Sequence, residues 1–333
     1  MTNELRHTPK LRLLSAFLAA AMALTTLPAA AFAADGIISD LSVAGTSVTL
    51  DNAADILGDG TAKYEGSVLT LNGEITVPQN ETGIKPIRSI TIDGTGTLTG
   101  SEKTGWGIFP QADKAEIASG ADITLEKFNY GTSAYGVDVS GTLTIRDANY
   151  GVSGQGVTIK RGGTLKIEEV GTAVSDGGVT VCEGGVVTVT GATSGLNGRS
   201  TVDGGSLSVS AETCIDNGEV IFKSGTLKLD SANHEAIALS KLTVNASNFW
   251  YRTVKDGAWT QVTGSNWTRP DNAVYFEITT EYPVATHYTV TFNLNGGTNW
   301  DWISDGRWND AHDQVSFTTQ TGDKGECLSI NVG

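Results

Sequence analysis

The sequence predicts an all-β protein whose central part is a single-stranded parallel β-helix, or β-solenoid, with three strands in each coil of about 20–22 residues. One observation is a Gly-x-apolar-x-apolar pattern that recurs at nearly even intervals, starting at Gly141, Gly163, Gly185, Gly205 and Gly225. The alternation has the two-residue period of a strand rather than the 3.6-residue period of a helix. We therefore expect one continuous interior column of aliphatic side chains, formed by Leu143, Leu165, Val187, Leu207 and Leu227.

Two further apolar ladders keep step with this pattern, which is why three strands are expected in each coil. The ladder before each glycine contains Val137, Val157, Val179, Val202 and Val220. The ladder after each pattern contains Val152, Val174, Leu196, Ile215 and Ile237. We expect the coil to be right-handed, because parallel crossover connections almost always are.

The corner before each Gly-x-apolar-x-apolar strand gives an independent check on the register. Glycines occur there, as a tight corner with positive φ requires. The residues expected to stack at this corner are Arg161, Glu183, Asp203 and Lys223. Two of the three neighbouring pairs have opposite charges, which indicates that these side chains lie next to one another.

The N-terminal segment over 1–33 is predicted to be a signal peptide. Basic residues at Arg6, Lys10 and Arg12 precede an apolar segment over 13–27, and Ala31-Phe32-Ala33 provides a small-x-small cleavage pattern. The apolar segment is too short and too near the cleavage pattern to be a retained anchor. We therefore expect a protein exported to the cell surface or the extracellular space, cleaved near Ala33, with no membrane insertion.

The rest of the chain divides into four predicted parts. An N-terminal cap is expected over 34–75, including a short helical turn at 51–57, and the β-solenoid is expected over 76–247. A Trp-rich stretch over 248–285 suggests hairpins that close the C-terminal end. A small β module is expected over 286–333.

Charge and cysteine usage narrow the classes of partner. Removing the leader takes the formal charge from −15 to −17, because three basic residues and one acidic residue leave with it. Such a chain repels nucleic acid and anionic lipid, so neither partner is expected.

The three cysteines, Cys182, Cys214 and Cys327, do not form a disulfide framework, and free thiols are expected. We expect a monomer.

Two segments carry resemblances to known families. The motifs Asn52-Ala-Ala-Asp-Ile-Leu-Gly-Asp-Gly-Thr61 and Val68-Leu-Thr-Leu-Asn-Gly73, with the Gly-Thr-Leu-Thr coils that follow, resemble secreted gut-bacterial carbohydrate-binding-domain-containing proteins. This resemblance implies a pectate-lyase-like β-helix. The segment Tyr288-Thr-Val-Thr-Phe-Asn-Leu-Asn-Gly-Gly-Thr298 resembles the start of an internalin-type B-repeat, a β-grasp module, and we expect the chain to end inside this repeat.

Catalytic chemistry is not indicated, and we expect no enzyme and no cofactor. A β-helix hydrolase needs converging carboxylates, and a lyase needs clustered acidic Ca²⁺ ligands with a basic residue. The register instead stacks Asp138 with Thr158 and Thr180, so no acidic column forms there. The histidines at 234, 287 and 312 share no ligand spacing, so no metal site is expected.

Several functions remain open at this point. A non-catalytic surface or secreted module that binds glycan or mediates adhesion is favoured. A polysaccharide lyase or hydrolase and a purely structural spacer are the alternatives. An ice-binding face is disfavoured, because Lys166, Val186 and Lys228 interrupt the outward Thr/Ser positions.

Aromatic residues are the positive sign of glycan binding, because the C–H faces of sugars stack on aromatic rings as other apolar faces do. The candidate glycan-binding residues are Trp259, Trp267 and Tyr275 near the C-terminal end of the solenoid, and Tyr135 and Tyr150, which cluster with Tyr130 near the third corner of two successive coils. A hydrophobic lid and corner packing are the structural alternatives for these two groups.

Overall fold

The computed structural model describes residues 37–264 and 267–281, together with three short strands nearer the C-terminus. It is an all-β structure in which stacked coils form a β-solenoid of about 8 turns, which confirms the predicted fold class. The predicted signal peptide lies outside the described residues. The right-handed direction of the coil stays a prediction.

The strands of the N-terminal region and the first coils are, in chain order, β1 (Ile37–Val43), β2 (Thr46–Thr49), β3 (Ala62–Glu65), β4 (Val68–Thr76), β5 (Ile84–Pro86), β6 (Ile90–Thr99), β7 (Trp106–Ile108), β8 (Ala115–Ile117) and β9 (Asp122–Glu126). Strands β1 and β2 form an antiparallel pair, and β1 also covers β5. Strand β3 covers the first half of β4, whose other side begins the parallel ladder with β6.

The remaining strands of the solenoid are β10 (Tyr130–Thr132), β11 (Val137–Val139), β12 (Thr142–Arg146), β13 (Tyr150–Val152), β14 (Val157–Ile159), β15 (Thr164–Glu168), β16 (Thr172–Val174), β17 (Val179–Cys182), β18 (Val186–Leu196), β19 (Ser200–Ile215), β20 (Val220–Ser231) and β21 (Leu242–Val244). They form three parallel faces. The first face contains β11, the second contains β12 and the third contains β13, with the equivalent strands of other coils. A 3₁₀ turn at Leu239–Lys241 precedes β21.

The observed register matches the sequence repeat. On the second face, Thr142 pairs with Thr164, Val186 with Ser206, and Ser206 with Thr226, which reproduces the intervals of the glycine pattern. The predicted interior column is continuous and completely buried, and consists of Leu143, Leu165, Val187, Leu207 and Leu227.

The third ladder is one rung shorter than the sequence predicts. Val152, Val174, Leu196 and Ile215 are buried partners in successive coils. Ile237 is buried as well, but its backbone N–H donates to the Ala273 carbonyl in the segment that closes the solenoid. The chain has therefore left the third face before Ile237.

The corners between the first and second faces place the predicted charges side by side. Arg161 forms an ion pair with Glu183 at 2.5 Å, and Lys223 forms one with Asp203 at 2.8 Å. All four side chains are largely exposed, so each pair contributes little to stability. A different corner shows why glycine is needed: Gly178 has φ +75, and an added Cβ would lie 1.5 Å from the Arg199 carbonyl oxygen.

The segment at 51–57 is not helical, contrary to the sequence prediction. It consists of turns and bends, in which the Asp55 carboxylate accepts hydrogen bonds from the backbone N–H groups of Gly58, Asp59 and Gly60. The Asn52 side chain accepts a bond from the Thr49 backbone N–H behind it. Short polar side chains here satisfy loop amides, and this competes with helix formation.

Antiparallel strands close the C-terminal end of the solenoid. They are β22 (Asn248–Arg252), β23 (Thr260–Thr263) and β24 (Tyr275–Thr279). Strands β22 and β23 form a hairpin, while β24 pairs with both β20 and β22. The Arg269 guanidinium donates to the backbone carbonyls of Ser240 and Leu242, both at 3.2 Å, beside β21. We call residues 248–281 the lid.

Three strands lie beyond the lid: β25 (Tyr288–Asn293), β26 (Arg307–Trp308) and β27 (Gln314–Thr319). They form a separate antiparallel sheet in the order β25-β27-β26. Cys182, half-buried, and Cys214, buried, are both free thiols, as the sequence predicted, and Cys327 lies outside the described residues. Burial raises the pKa of the Cys214 thiol to about 11, so this thiol is protonated at neutral pH.

Leu165→Ala should lower the free energy of unfolding by about 2–5 kcal/mol, because it leaves a cavity in the middle of the interior column. Lys166→Ala, at the neighbouring outward and exposed position, is the matched control and should change it by less than about 0.5 kcal/mol. Urea unfolding followed by circular dichroism measures both. Equal effects of the two substitutions would contradict the assigned register.

Candidate functional site

The outward positions of the third face carry three aromatic residues in successive coils. Trp106, Tyr130 and Tyr150 are paired neighbours in β7, β10 and β13. The ring centroids of Trp106 and Tyr130 are 6.4 Å apart with planes 14° from parallel, and those of Tyr130 and Tyr150 are 4.8 Å apart at 12°. Phe109 packs against Trp106 at 4.9 Å. We call Trp106, Tyr130 and Tyr150 the aromatic ladder.

The corner before the third face aligns the two tyrosine rings. Lys127 and Asp147 in the tyrosine coils, and Glu169 in the coil after them, adopt left-handed backbone conformations with φ of 59°, 51° and 54°. This shared conformation turns each coil in the same way. In the two tyrosine coils an asparagine follows, and the Asn149 side-chain amide donates to Asn129 Oδ1 at 2.9 Å. The corner therefore fixes the start of the Tyr130 and Tyr150 rungs.

A repeated glycine allows the coils to approach closely behind the ladder. The local sequences are Trp-Gly-Ile at 106–108, Tyr-Gly-Thr at 130–132 and Tyr-Gly-Val at 150–152. An added Cβ at Gly131 would lie 2.4 Å from Ile145 Cγ2 and 2.7 Å from the Gly151 carbonyl oxygen. The aromatic-Gly-x repeat is thus the sequence signal that identifies Trp106 as a member of this site, and the sequence analysis missed that residue.

Ion pairs border the aromatic ladder at this corner. Lys103 pairs with Asp147 at 2.8 Å, and Arg146 pairs with Glu126 at 2.7 Å. Burial alone would raise the pKa of Glu126, but hydrogen bonds from Thr99 and Arg146 and the Arg146 charge outweigh burial and lower that pKa. Both cations are therefore occupied by carboxylates of the protein itself.

The five residues predicted from the sequence lie in different surroundings. Tyr150 is part of the aromatic ladder and is 36% exposed. Tyr135 is 42% exposed and belongs to the corner after β10, outside the ladder. Trp259 is half-buried in the lid, and its ring faces the Arg252 guanidinium at 4.7 Å.

Trp267 and Tyr275 belong to the packing of the lid. The Trp267 ring meets Phe249 edge-on at 5.7 Å. Tyr275 is only 4% exposed, and its hydroxyl donates to Glu277, which also forms an ion pair with Arg252 at 2.7 Å. Burial, together with the Glu277 carboxylate, raises the pKa of Tyr275. Neither ring offers a free face comparable to that of Tyr150.

Asp138 is the best placed outward carboxylate on the first face, and its surroundings bear on catalysis. It pairs with Thr158 in the next coil, and Thr158 pairs with Thr180, as the sequence register predicted. In the preceding coil it pairs with Glu116, so the expectation that no acidic column forms at Asp138 is wrong: the column holds two carboxylates, because β8 joins the same ladder. Its two oxygens form ion pairs with Lys114 at 2.9 Å and Lys160 at 3.0 Å. Burial would raise the pKa of Asp138, but the hydrogen bonds and charges of both lysines outweigh it and lower that pKa. Asp138 is therefore an ionised ion-pair partner and not a proton donor at neutral pH.

Two further properties concern metals and membranes. Within residues 37–264 and 267–281, no group of three His, Cys, Asp or Glu side chains is placed to hold a metal ion. In the part of the chain that the structure describes, no helix has the length and apolar character needed to cross a bilayer.

No protein-family model, curated protein or solved structure matches this chain. The fold and the aromatic ladder define a protein of the β-solenoid class. The resemblances to carbohydrate-binding-domain-containing proteins and to B-repeats gain no support from these comparisons, and rest on the quoted motifs alone.

Asp138→Asn should weaken the acid dependence of stability. A carboxylate whose pKa is lowered by folding stabilises the protein above its unfolded-state pKa of about 3.9, and this stabilisation is lost as the pH falls through the folded-state pKa. Wild type should therefore lose more stability than the variant on going from pH 5 to pH 2, by less than about 1 kcal/mol because both lysines are half exposed. Urea unfolding at several pH values measures this difference.

The control is Asp122→Asn, at an exposed position of β9. An Asp122 variant that flattened the pH dependence as much as Asp138→Asn would contradict the role assigned to the two lysines.

Proposed function

We propose that the protein is a non-catalytic β-solenoid module of the cell surface or extracellular space that binds neutral glycans through its aromatic ladder. The observation that carries this proposal is the row of near-parallel rings on the third face, which ends in the exposed ring of Tyr150. Export is inferred from the leader sequence over 1–33.

Aromatic rings and charge together favour a neutral glycan as ligand. Buried aromatic rings need no explanation beyond packing, whereas a partly exposed stack keeps apolar surface in contact with water. The C–H face of a pyranose removes such surface from water, while the sugar hydroxyls remain solvated. The formal charge of −17 expected for the exported chain disfavours polyuronates and sulfated glycans.

The surroundings of Asp138 support the non-catalytic part of the proposal. Glycoside hydrolysis needs one carboxyl group that is protonated at the working pH, which requires a raised pKa. The pKa of Asp138 moves in the opposite direction because Lys114 and Lys160 flank it. Its partner in the preceding coil is Glu116, and threonines take this position in the coils on either side of that pair, Thr91 before it and Thr158 after it.

A structural spacer is the second candidate function. The continuous interior column and the strands that cover parts of both end coils support it, since they make a rigid rod that needs no ligand. A glycan-binding module would use the aromatic ladder of the third face to hold its ligand, whereas a spacer would not. Replacement of the ladder residues therefore distinguishes the two functions.

Replacement of the whole aromatic ladder, by Trp106→Thr, Tyr130→Thr and Tyr150→Thr together, should abolish binding on an array of neutral polysaccharides. Threonine is chosen because Thr172 and Thr213 occupy this column in later coils, so the strands tolerate it. The control variant, Tyr135→Thr with Trp259→Thr, removes two aromatic residues elsewhere and should bind like wild type.

Each other outcome has a defined meaning. Absence of any wild-type signal overturns glycan binding and leaves the spacer. Loss of signal only in the control variant would move the site away from the ladder. Release of unsaturated or reducing ends from polysaccharides incubated with the protein and Ca²⁺ would overturn the non-catalytic assignment.

A further inference from the structure

The aromatic ladder ends at Tyr150, in the second of the two coils that have an asparagine before the tyrosine. Tyr150 pairs with Thr172, and Thr172 pairs with Ser194, so the column continues with short side chains. The asparagine column stops at the same place, because Gly171 follows Asn149, and its backbone N–H donates to Ala148. We call the step formed by Asn149, Tyr150, Gly171 and Thr172 the ledge.

The outer ring face of Tyr150 is open at the ledge. The ring centroids of Tyr130 and Tyr150 are 4.8 Å apart and their planes are 12° from parallel, so each ring covers one face of the other. Trp106 lies on the other side of Tyr130. Neighbouring coils are separated by about 4.8 Å. A threonine in the next coil is too short to cover a phenol ring, which agrees with the 36% exposure of Tyr150 against the half-buried Tyr130.

Asn149 places hydrogen-bonding groups beside that open face. The side chain is exposed, and one amide N–H is used in the bond to Asn129. No described residue donates to its side-chain oxygen. An apolar ring face next to an amide matches the two kinds of surface on a pyranose, which has C–H groups on its face and hydroxyls on its rim.

The charges around the ledge select against anionic sugars. Lys103 of the Trp106 coil and Arg146 of the Tyr150 coil are paired with Asp147 and Glu126. Lys127 is exposed but lies in the Tyr130 coil, two coils before Glu169. In the next coil Glu169 is exposed and lies just before Gly171 in the chain. A uronate or sulfate placed here would meet a carboxylate and find both Lys103 and Arg146 occupied.

We propose that the ledge is the sugar-contacting subsite, at which one neutral pyranose unit stacks on the open face of Tyr150 at the level of Thr172 and hydrogen-bonds to Asn149. This inference rests on the proposed function. It adds that binding depends on the uncovered last ring of the ladder and on the space beside it at the level of Thr172. The number of aromatic rings in the ladder is not what decides binding. Each protein molecule then holds one sugar unit at this face.

Thr172→Tyr tests the ledge without removing any aromatic residue. The new ring continues the ladder by one rung, covers the open face of Tyr150 and has no asparagine beside it, because Gly171 precedes it. Because the new ring offers a stacking face without the amide, isothermal titration with neutral hexasaccharides of β-1,4-linked glucose, mannose and xylose should show about a three- to tenfold loss of affinity relative to wild type, the same loss as for Asn149→Ala. Hexagalacturonate is the anionic probe and should bind neither protein.

The matched control is Thr213→Tyr, the same substitution on the same face two coils further on. It should bind the hexasaccharides like wild type. Thermal unfolding of both variants checks that the added tyrosine is accommodated.

Asn149→Ala should weaken binding by about three- to tenfold, because it removes the amide and leaves every stacking residue in place.

The outcomes separate this inference from the proposed function. If wild type binds none of the neutral probes or array glycans, glycan binding itself fails. If wild type binds and folded Thr172→Tyr binds equally well, glycan binding stands and the ledge is wrong. Tight binding of hexagalacturonate would overturn the selection for neutral sugars.

Discussion

The whole structure depends on the stacking of equivalent aliphatic side chains along the solenoid axis. One coil of about twenty residues has too little apolar surface to form a core, so each coil is stable only against its neighbours. Every interior side chain therefore requires the residue one coil away to be at the same position. Since a shift of one position would turn the interior set outward, the register is fixed strongly wherever this column is continuous.

The outward columns are a consequence of this interior constraint. Once the coils are in register, the outward-facing residues are also aligned in columns, in which neighbours from successive coils are about 4.8 Å apart. On the corners these columns bring charges together, as in the pair of Arg161 and Glu183. On the third face the same rule brings Trp106, Tyr130 and Tyr150 into contact. A binding surface can thus arise here by substitution at outward positions alone, without any change to the core.

The sequence predicted the coils and corners well, because period-two alternation and corner glycines are local signals. It predicted the aromatic ladder only in part. The step along the chain from Trp106 to Tyr130 is longer than the step from Tyr130 to Tyr150, so a strict search for one spacing misses the first rung. The burial of Tyr275 could not be predicted, since it depends on how β24 pairs with β20 across a long separation in the chain. The prediction of a helical turn at 51–57 is wrong, because residues whose side chains bond to loop amides, such as Asp55, are the same types that cap helices.

The antiparallel pairing of β24 with β20 has a consequence for how such a chain can change its length. Interior coils present the same parallel interface on both sides, so a duplicated coil inserted among them meets surfaces that already fit. The last coil is different, since its partner runs in the opposite direction and Ile278 lies opposite Leu227. Duplication of genetic segments would therefore lengthen this rod from within, while the sealing strand stays attached to one particular coil.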